Sequence, residues 1–273
     1  MLSGPSSSNS LPEFSSTFAQ SYPGTSIGIR WFGREESDLC FDFSRNDNAV
    51  LVTQILEHCT VNTGNLPAQF FRKLTVGRRV ECLLALAMGE QEIPFNFPFP
   101  CTNCGQEIEL ELTRVEISEL QREADLNTTV AVEVEGKRFL YRKPCGLDLE
   151  NWSAMAFGDM QQAATVMINT LALTPDLPVS LDSEVIRLVD EAMKEADPLV
   201  NFFCRVSCAE CNSKNEFLLD LCDIALTRLK RLQEQMLVSI HKLASRYHWS
   251  EQEIFAVPHW RRKAYLDLIA AGR

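Results

Sequence analysis

Two short cysteine pairs carry the clearest chemistry in this sequence: Cys101-Thr-Asn-Cys104 and Cys208-Ala-Glu-Cys211. Two thiols separated by two residues can turn both sulfurs onto one ion and supply half of a tetrahedral thiolate shell. Two such pairs complete the shell of a closed structural zinc site. Gly105 and Asn212 follow directly, where a tight knuckle favours a left-handed backbone. Alternating segments flank each pair, IPFNFPFP before the first and EIELELT after it, so each pair is expected at the tip of a β-hairpin. Two such tips facing each other across one ion form the zinc-ribbon arrangement. Cys208 follows Cys104 by 104 residues, far more than the loop of a compact ribbon, so residues 113–197 are expected to form an inserted subdomain.

Two alternatives stand beside the single zinc: unmetallated thiols, or two separate redox centres. A redox pair normally opens a helix next to a strand, whereas strands are expected after both pairs. A catalytic zinc calls for His, carboxylate or an open position, and nothing near either pair offers one clearly. Cys204 alternates with Phe202 and Val206 and reads as a core cysteine rather than a fifth ligand. Cys40, Cys59, Cys82, Cys145 and Cys222 occur singly in apolar contexts and read as small buried hydrophobes.

Little else points to catalysis. The histidines are His58, His241, His248 and His259, and no nucleotide-binding glycine loop, nucleophile elbow or H-E-x-x-H motif occurs. The expectation is therefore a protein that is not an enzyme. Lys plus Arg number 26 against 37 Asp plus Glu, a net charge of −11, which argues against a broad basic surface for nucleic acid or anionic lipid. Glu107, Glu109 and Glu210 by the knuckles have the wrong sign for phosphate. The basic runs Lys230–Arg231 and Arg261–Lys263 read as solvated helix faces. The apolar stretch Cys82–Met88 is too short to cross a bilayer. The start MLSGPSSSNS has neither a basic nor an apolar region, so a secretory signal is not expected. A cytoplasmic, reducing setting follows, where paired cysteines read as metal ligands before disulfides.

These sites need elements to position them. Residues 1–25, rich in Ser, Pro, Gly and Asn, read as a tail that cannot bury enough apolar surface to fold; a docking peptide around Leu11–Phe18 is the alternative. Residues 26–112 are expected as an α+β region ending in the first knuckle. It has two short strands over Ser26–Phe43, a helix at Asn48–Cys59 and a helix at Thr75–Met88 stopped by Gly89. In the 113–197 stretch the pattern predicts a helix at Arg114–Leu126, a hairpin around Gly136, and helices at Trp152–Leu173 and Asp182–Ala196. Residues 198–273 hold the second knuckle between strands Leu199–Val206 and Glu216–Leu221. A long helix, Asp223–Tyr247, then leads to Ser250 and Glu253, which predict a capping box, and to a last helix at His259–Ala271. The class is α+β: zinc-ribbon-like hairpin knuckles, an inserted mixed subdomain and a C-terminal helical segment.

The C-terminal third carries a resemblance. The order is knuckle, long helix, His241-Lys-Leu-Ala-Ser-Arg-Tyr-His-Trp-Ser-Glu-Gln-Glu-Ile254, then Arg261-Arg-Lys-Ala-Tyr-Leu266. It resembles the baseplate hub-assembly proteins of T-even-type contractile-tailed phages and related contractile injection systems. Leu74-Thr-Val-Gly-Arg-Arg79 and Lys143-Pro-Cys-Gly-Leu-Asp-Leu149 are similar to earlier segments of that family, with Cys145 where a small polar residue is expected. The resemblance implies a non-enzymatic assembly factor, or structural component, of a tail baseplate. Baseplate, hub or tail proteins would be its partners, and it would either stay in the particle or leave after assembly. A zinc-ribbon adaptor in nucleic-acid machinery is the alternative. Trp249, Trp260, Arg261, Arg262 and Tyr265 are the candidate partner-binding residues, because exposed Trp, Tyr and Arg dominate interface energetics. Packing against the long helix is their other possible role.

Overall fold

The computed structural model describes residues 27–44, 47–61, 66–174 and 181–272; the readings made for residues 1–25 lie outside them. The described chain is mixed α+β, with ten α-helices and four two-stranded antiparallel sheets. The strands are β1 (Gly28–Ile29), β2 (Thr60–Val61), β3 (Phe95–Pro100), β4 (Glu107–Leu112), β5 (Thr129–Val134), β6 (Lys137–Arg142), β7 (Phe202–Ser207) and β8 (Lys214–Leu219). Each pairs with its neighbour in sequence, β1 with β2 through to β7 with β8. A sheet of two strands has only edges, which is why β3 tolerates Pro98 and Pro100.

The centre of the fold is a helix buried on every side. Helices α1 (Asn48–His58) and α2 (Phe70–Lys73) precede α3 (Val76–Met88), all of whose residues are buried. Thr75 caps α3, accepting from the Arg78 N–H, and Gly89 ends it at φ +73°. Leu83, Leu84 and Leu86 pack in the main apolar cluster. Arg79, equally buried, is tolerated because its guanidinium donates to Thr53 Oγ1 at 2.9 Å, to the Phe71 carbonyl at 2.8 Å and to the Ala49 carbonyl at 2.7 Å. Those bonds tie α1 and α2 onto α3.

After the first hairpin comes α4 (Arg114–Asp125), opened by a capping box between Thr113 and Glu116. Its Ile117 joins the main cluster. The β5–β6 hairpin, α5 (Gly146–Ser153), α6 (Met160–Leu171) and α7 (Ser183–Ala196) follow. Val130, Tyr141, Trp152, Ile168 and Val189 from these elements form a second apolar cluster. The chain then returns through Leu199, fully buried in the main cluster, to β7 and β8. The long α8 (Leu221–Tyr247) packs against α3 and is followed by α9 (Glu251–Ala256) and α10 (His259–Ala270). Ser250 and Glu253 form the capping box expected at the start of α9.

Several local expectations are corrected. Leu39–Phe43, expected as a second strand, is not one; residues Glu36–Cys40 form a 3₁₀ helix instead. The Asp38 carboxylate explains it: it accepts from the N–H groups of Gly33, Arg34 and Glu35 and from the Arg30 guanidinium. Side-chain bonds of this kind compete with strand pairing. The single helix expected over Trp152–Leu173 is two helices. Gly158-Asp159 breaks it, and Asp159 caps α6 by accepting from the Gln162 N–H at 2.8 Å. Cys40 is exposed, and Cys145 and Cys222 are half-buried, whereas Cys59 and Cys82 are buried as expected.

Candidate metal centre

The two C-x-x-C hairpins are built alike, position for position. Phe95 pairs with Leu112 and Pro100 with Glu107; at the matching places Phe202 pairs with Leu219 and Ser207 with Lys214. At each tip the first cysteine donates its N–H across the knuckle, Cys101 to the Gln106 carbonyl at 2.8 Å and Cys208 to the Ser213 carbonyl at 2.9 Å. Each tip then closes with a bond back to that cysteine, from Gly105 N–H to the Cys101 carbonyl and from Asn212 N–H to the Cys208 carbonyl, both 2.9 Å. Gly105 and Asn212 take the left-handed backbone read from the sequence, at φ +73° and +55°. The match continues past the strands, since Thr113 and Asp220 cap the helices that leave the two hairpins.

The tips face each other. Cys101 Sγ lies 3.6 Å from Cys211 Sγ, and Cys104 Sγ lies 3.7 Å from Cys208 Sγ. All four sulfurs fall within 4.8 Å of one another, a grouping that could hold one metal ion. Cys101 and Cys208 are buried, Cys211 is half-buried and Cys104 is exposed. Phe99 stacks on Phe217 beneath the tips, centroids 4.1 Å apart, and sets the spacing of the two hairpins. Cys204 is buried on β7, outside the sulfur group.

Asn215 was not legible as part of the site. It sits on β8 where the first hairpin has Ile108, and is 1% exposed. Its Oδ1 accepts from the Thr102 N–H at 2.9 Å and the Thr102 hydroxyl at 2.8 Å, while its Nδ2 points at Cys101 Sγ, 3.6 Å away. One side chain thereby stitches the two knuckles together and aims a donor at a sulfur. The available signal was an Asn, a poor strand former, in the alternating run after the second pair.

The sulfurs perturb one another's protonation. N–H groups of Cys104 and Asn103, helped by Asn215, hold the Cys101 thiol down to about 6. Cys211 is also lowered, chiefly by Asn103 and the Ser213 N–H. Cys104 goes the other way: the Gln106 N–H favours its thiolate, but the neighbouring sulfurs, Cys211 foremost, push it up to about 12. Negative charge placed on two sulfurs therefore opposes charge on a third. A cation at the centre of the group would relieve that conflict.

No family model, curated protein or solved structure matches the chain. Among the described residues no helix is long and apolar enough to cross a membrane.

The five candidate partner residues divide into two groups. Trp249 and Tyr265 pack with Tyr247 in an aromatic trio, centroids 4.8–5.3 Å apart. Trp260 is 71% exposed, and Arg261 is exposed beside it. Arg262 lies over the Phe255 ring and donates to the Arg34 carbonyl at 3.0 Å. A groove of about 500 Å³ runs between the Trp31–Arg34 segment, α8 and the α9–α10 hairpin. Phe32, Met236, Leu243 and Leu266 are among its apolar walls; Arg262, Lys263, His259 and the Arg34–Glu90 ion pair also line it. Burial, then the nearby Arg34, Arg262 and Lys263, lowers the His259 pKa.

Proposed function

We propose that this chain is a non-enzymatic assembly factor or structural component of the baseplate hub of a contractile phage tail or related injection system. In this reading one structural zinc, held by Cys101, Cys104, Cys208 and Cys211, stabilises a zinc-ribbon-like pair of knuckles. Zinc–sulfur bonds of about 2.3 Å put the sulfurs of a tetrahedral shell about 3.8 Å apart. Contacts of 3.6 and 3.7 Å between the knuckles suit that shell. Four thiolates leave no open position for substrate, so the ion's contribution is to tie two distant hairpins together. Asn215 and the knuckle N–H groups orient the sulfurs and offset their charge.

The observation that carries the assembly reading is the C-terminal arm. The residues that resemble the baseplate family build α8, α9 and α10, and these form most of a groove with apolar walls, with Trp260 exposed at its edge. An apolar groove beside an exposed Trp supports the reading of a protein partner. The nucleic-acid alternative is weakened by the first knuckle itself, whose β4 strand exposes Glu107, Glu109 and Glu111.

An affinity pull-down of the tagged chain from cells expressing its native gene set tests the reading. Enrichment of tail-tube, spike or baseplate proteins, lost in a Trp260→Ala/Arg262→Glu double variant that keeps the parent's melting temperature, is expected. Recovery of polymerase or ribosomal proteins, released by nuclease or salt, would replace this reading with the nucleic-acid one.

A further inference from the structure

The join between α7 and the main body is polar and almost sealed from water. Asp197, 4% exposed, stands at the C-terminal end of α7. Its Oδ2 accepts from the Gly77 N–H, in the first turn of α3, at 3.2 Å. Its Oδ1 is buried and has no hydrogen-bond partner. Gln121 on α4 is 0% exposed. Its Nε2 donates to Asp125 Oδ1 at 2.7 Å, and its Oε1 is also buried without a partner. Both orphaned oxygens lie beside Gly77, where an added Cβ would run into each of them.

An amide has donor hydrogens only on its nitrogen. Gln121 stands between two carboxylates. With Nε2 on Asp125, its carbonyl oxygen meets Asp197; with the amide turned over, the oxygen meets Asp125 instead. In either orientation two acceptors abut unless one carboxyl carries a proton. Asp125 is not the one, because it pairs with the Arg78 guanidinium, which also holds Glu81. Asp197 has no such partner. Lys143, from the segment after β6, is the cation acting on it, yet its Nζ donates to the Ala124 carbonyl at 2.6 Å. The groups facing Asp197 are therefore Lys143, Asp125 and the Gly77 N–H, with Arg78 and Glu81 behind Asp125. Burial outweighs the pull of Lys143 and Gly77 and raises the Asp197 carboxyl to about 6.

We propose that Asp197, Gln121 and Asp125 form a one-proton site, with the proton on Asp197 Oδ1 donated to Gln121 Oε1, and that losing it loosens the α7 end from α3 and α4. The join is then a pH-sensitive latch, closed in mild acid and weakened as the proton leaves. This inference stands independently of the metal and of the assembly role.

Carbon-13 NMR of the side-chain carboxyls in the full, unaltered chain is the direct test. The Asp197 signal is expected to titrate with a midpoint near pH 6; a midpoint at or below about 4, the ordinary Asp value, overturns the proposal. A variant gives a second reading. Asp197→Asn keeps the shape and offers an N–H to Gln121 Oε1 without titrating. A carboxyl raised on folding contributes stability that is complete below its unfolded value and is lost as pH rises through its folded one. From pH 4 to pH 8 the folded-to-unfolded ratio of the parent, taken relative to Asp197→Asn, is expected to fall about 50-fold. A constant relative ratio overturns the latch. If the variant does not fold, the titration of the unaltered chain decides alone.

Discussion

Replacing Cys104 by Ser tests what the four-sulfur centre does for the fold. Cys104 is the exposed member of the group, so the substitution opens no cavity and removes one thiolate from a closed shell. The ion would bridge Cys104 and Cys208 across 104 residues. Treating the metal tie as a cross-link, a closed loop of about 100 residues is worth about 4.7 kcal/mol through the entropy it removes from the unfolded chain. That is comparable with the whole stability of many domains, about 5–15 kcal/mol. For a chain of this size each kcal/mol moves the melting temperature by about 2–4 °C, so a fall of about 10–20 °C is expected. Scanning calorimetry of the parent, Cys104→Ser and Cys40→Ser, each with and without a chelator, measures it. Cys40 is an exposed cysteine outside the group, so its variant should melt like the parent. Chelator should lower the melting of the parent and Cys40→Ser, and leave Cys104→Ser unmoved. If all three melt within about 1 °C of one another in both conditions, the cross-link reasoning is wrong.

Two further outcomes follow from the buried charges. Arg79→Met should lower stability by about 3 kcal/mol, because it removes three buried charge-assisted hydrogen bonds, to the Phe71 and Ala49 carbonyls and to Thr53 Oγ1; an unchanged urea midpoint would refute this. Burial opposes ionisation of Asp38, but the Arg30 guanidinium and the Glu35 and Arg34 N–H groups outweigh it and hold the carboxyl below its usual range. A carboxyl lowered on folding contributes stability above its unfolded value of about 3.9 and loses it as pH falls through the folded value. Acid unfolding below about pH 4 should therefore lose part of its steepness in Asp38→Asn, and identical acid transitions would contradict the assignment.

Much of the site is legible in the sequence because its parts are local. Spacing alone puts two sulfurs at each tip, and Gly105 and Asn212 announce the left-handed turn. The strands on both sides alternate. Helix ends marked by caps were equally readable: Thr75 and Gly89 bound α3, and Ser250 with Glu253 opens α9. The misreadings came from side chains that bond to backbone or to distant partners. Asp38 gathers three N–H groups and turns an apparent strand into a 3₁₀ helix. Asn215 bonds a knuckle more than a hundred residues away, a pairing that local pattern does not carry. Arg79 is a charged residue in a buried helix, and the carbonyls of Ala49 and Phe71, outside that helix, make it part of the core.

We propose that one ion is held by four thiolates drawn from both knuckles. Metal analysis of the purified full chain, coupled to stepwise titration of its thiols with a mercurial reagent, tests it most directly. One equivalent of zinc per chain is expected, released as four cysteines react and retained when Cys40 alone is blocked. A chain purified under reducing conditions without metal, or one whose zinc leaves after modification of a single C-x-x-C pair while the other pair reacts freely from the start, would contradict it.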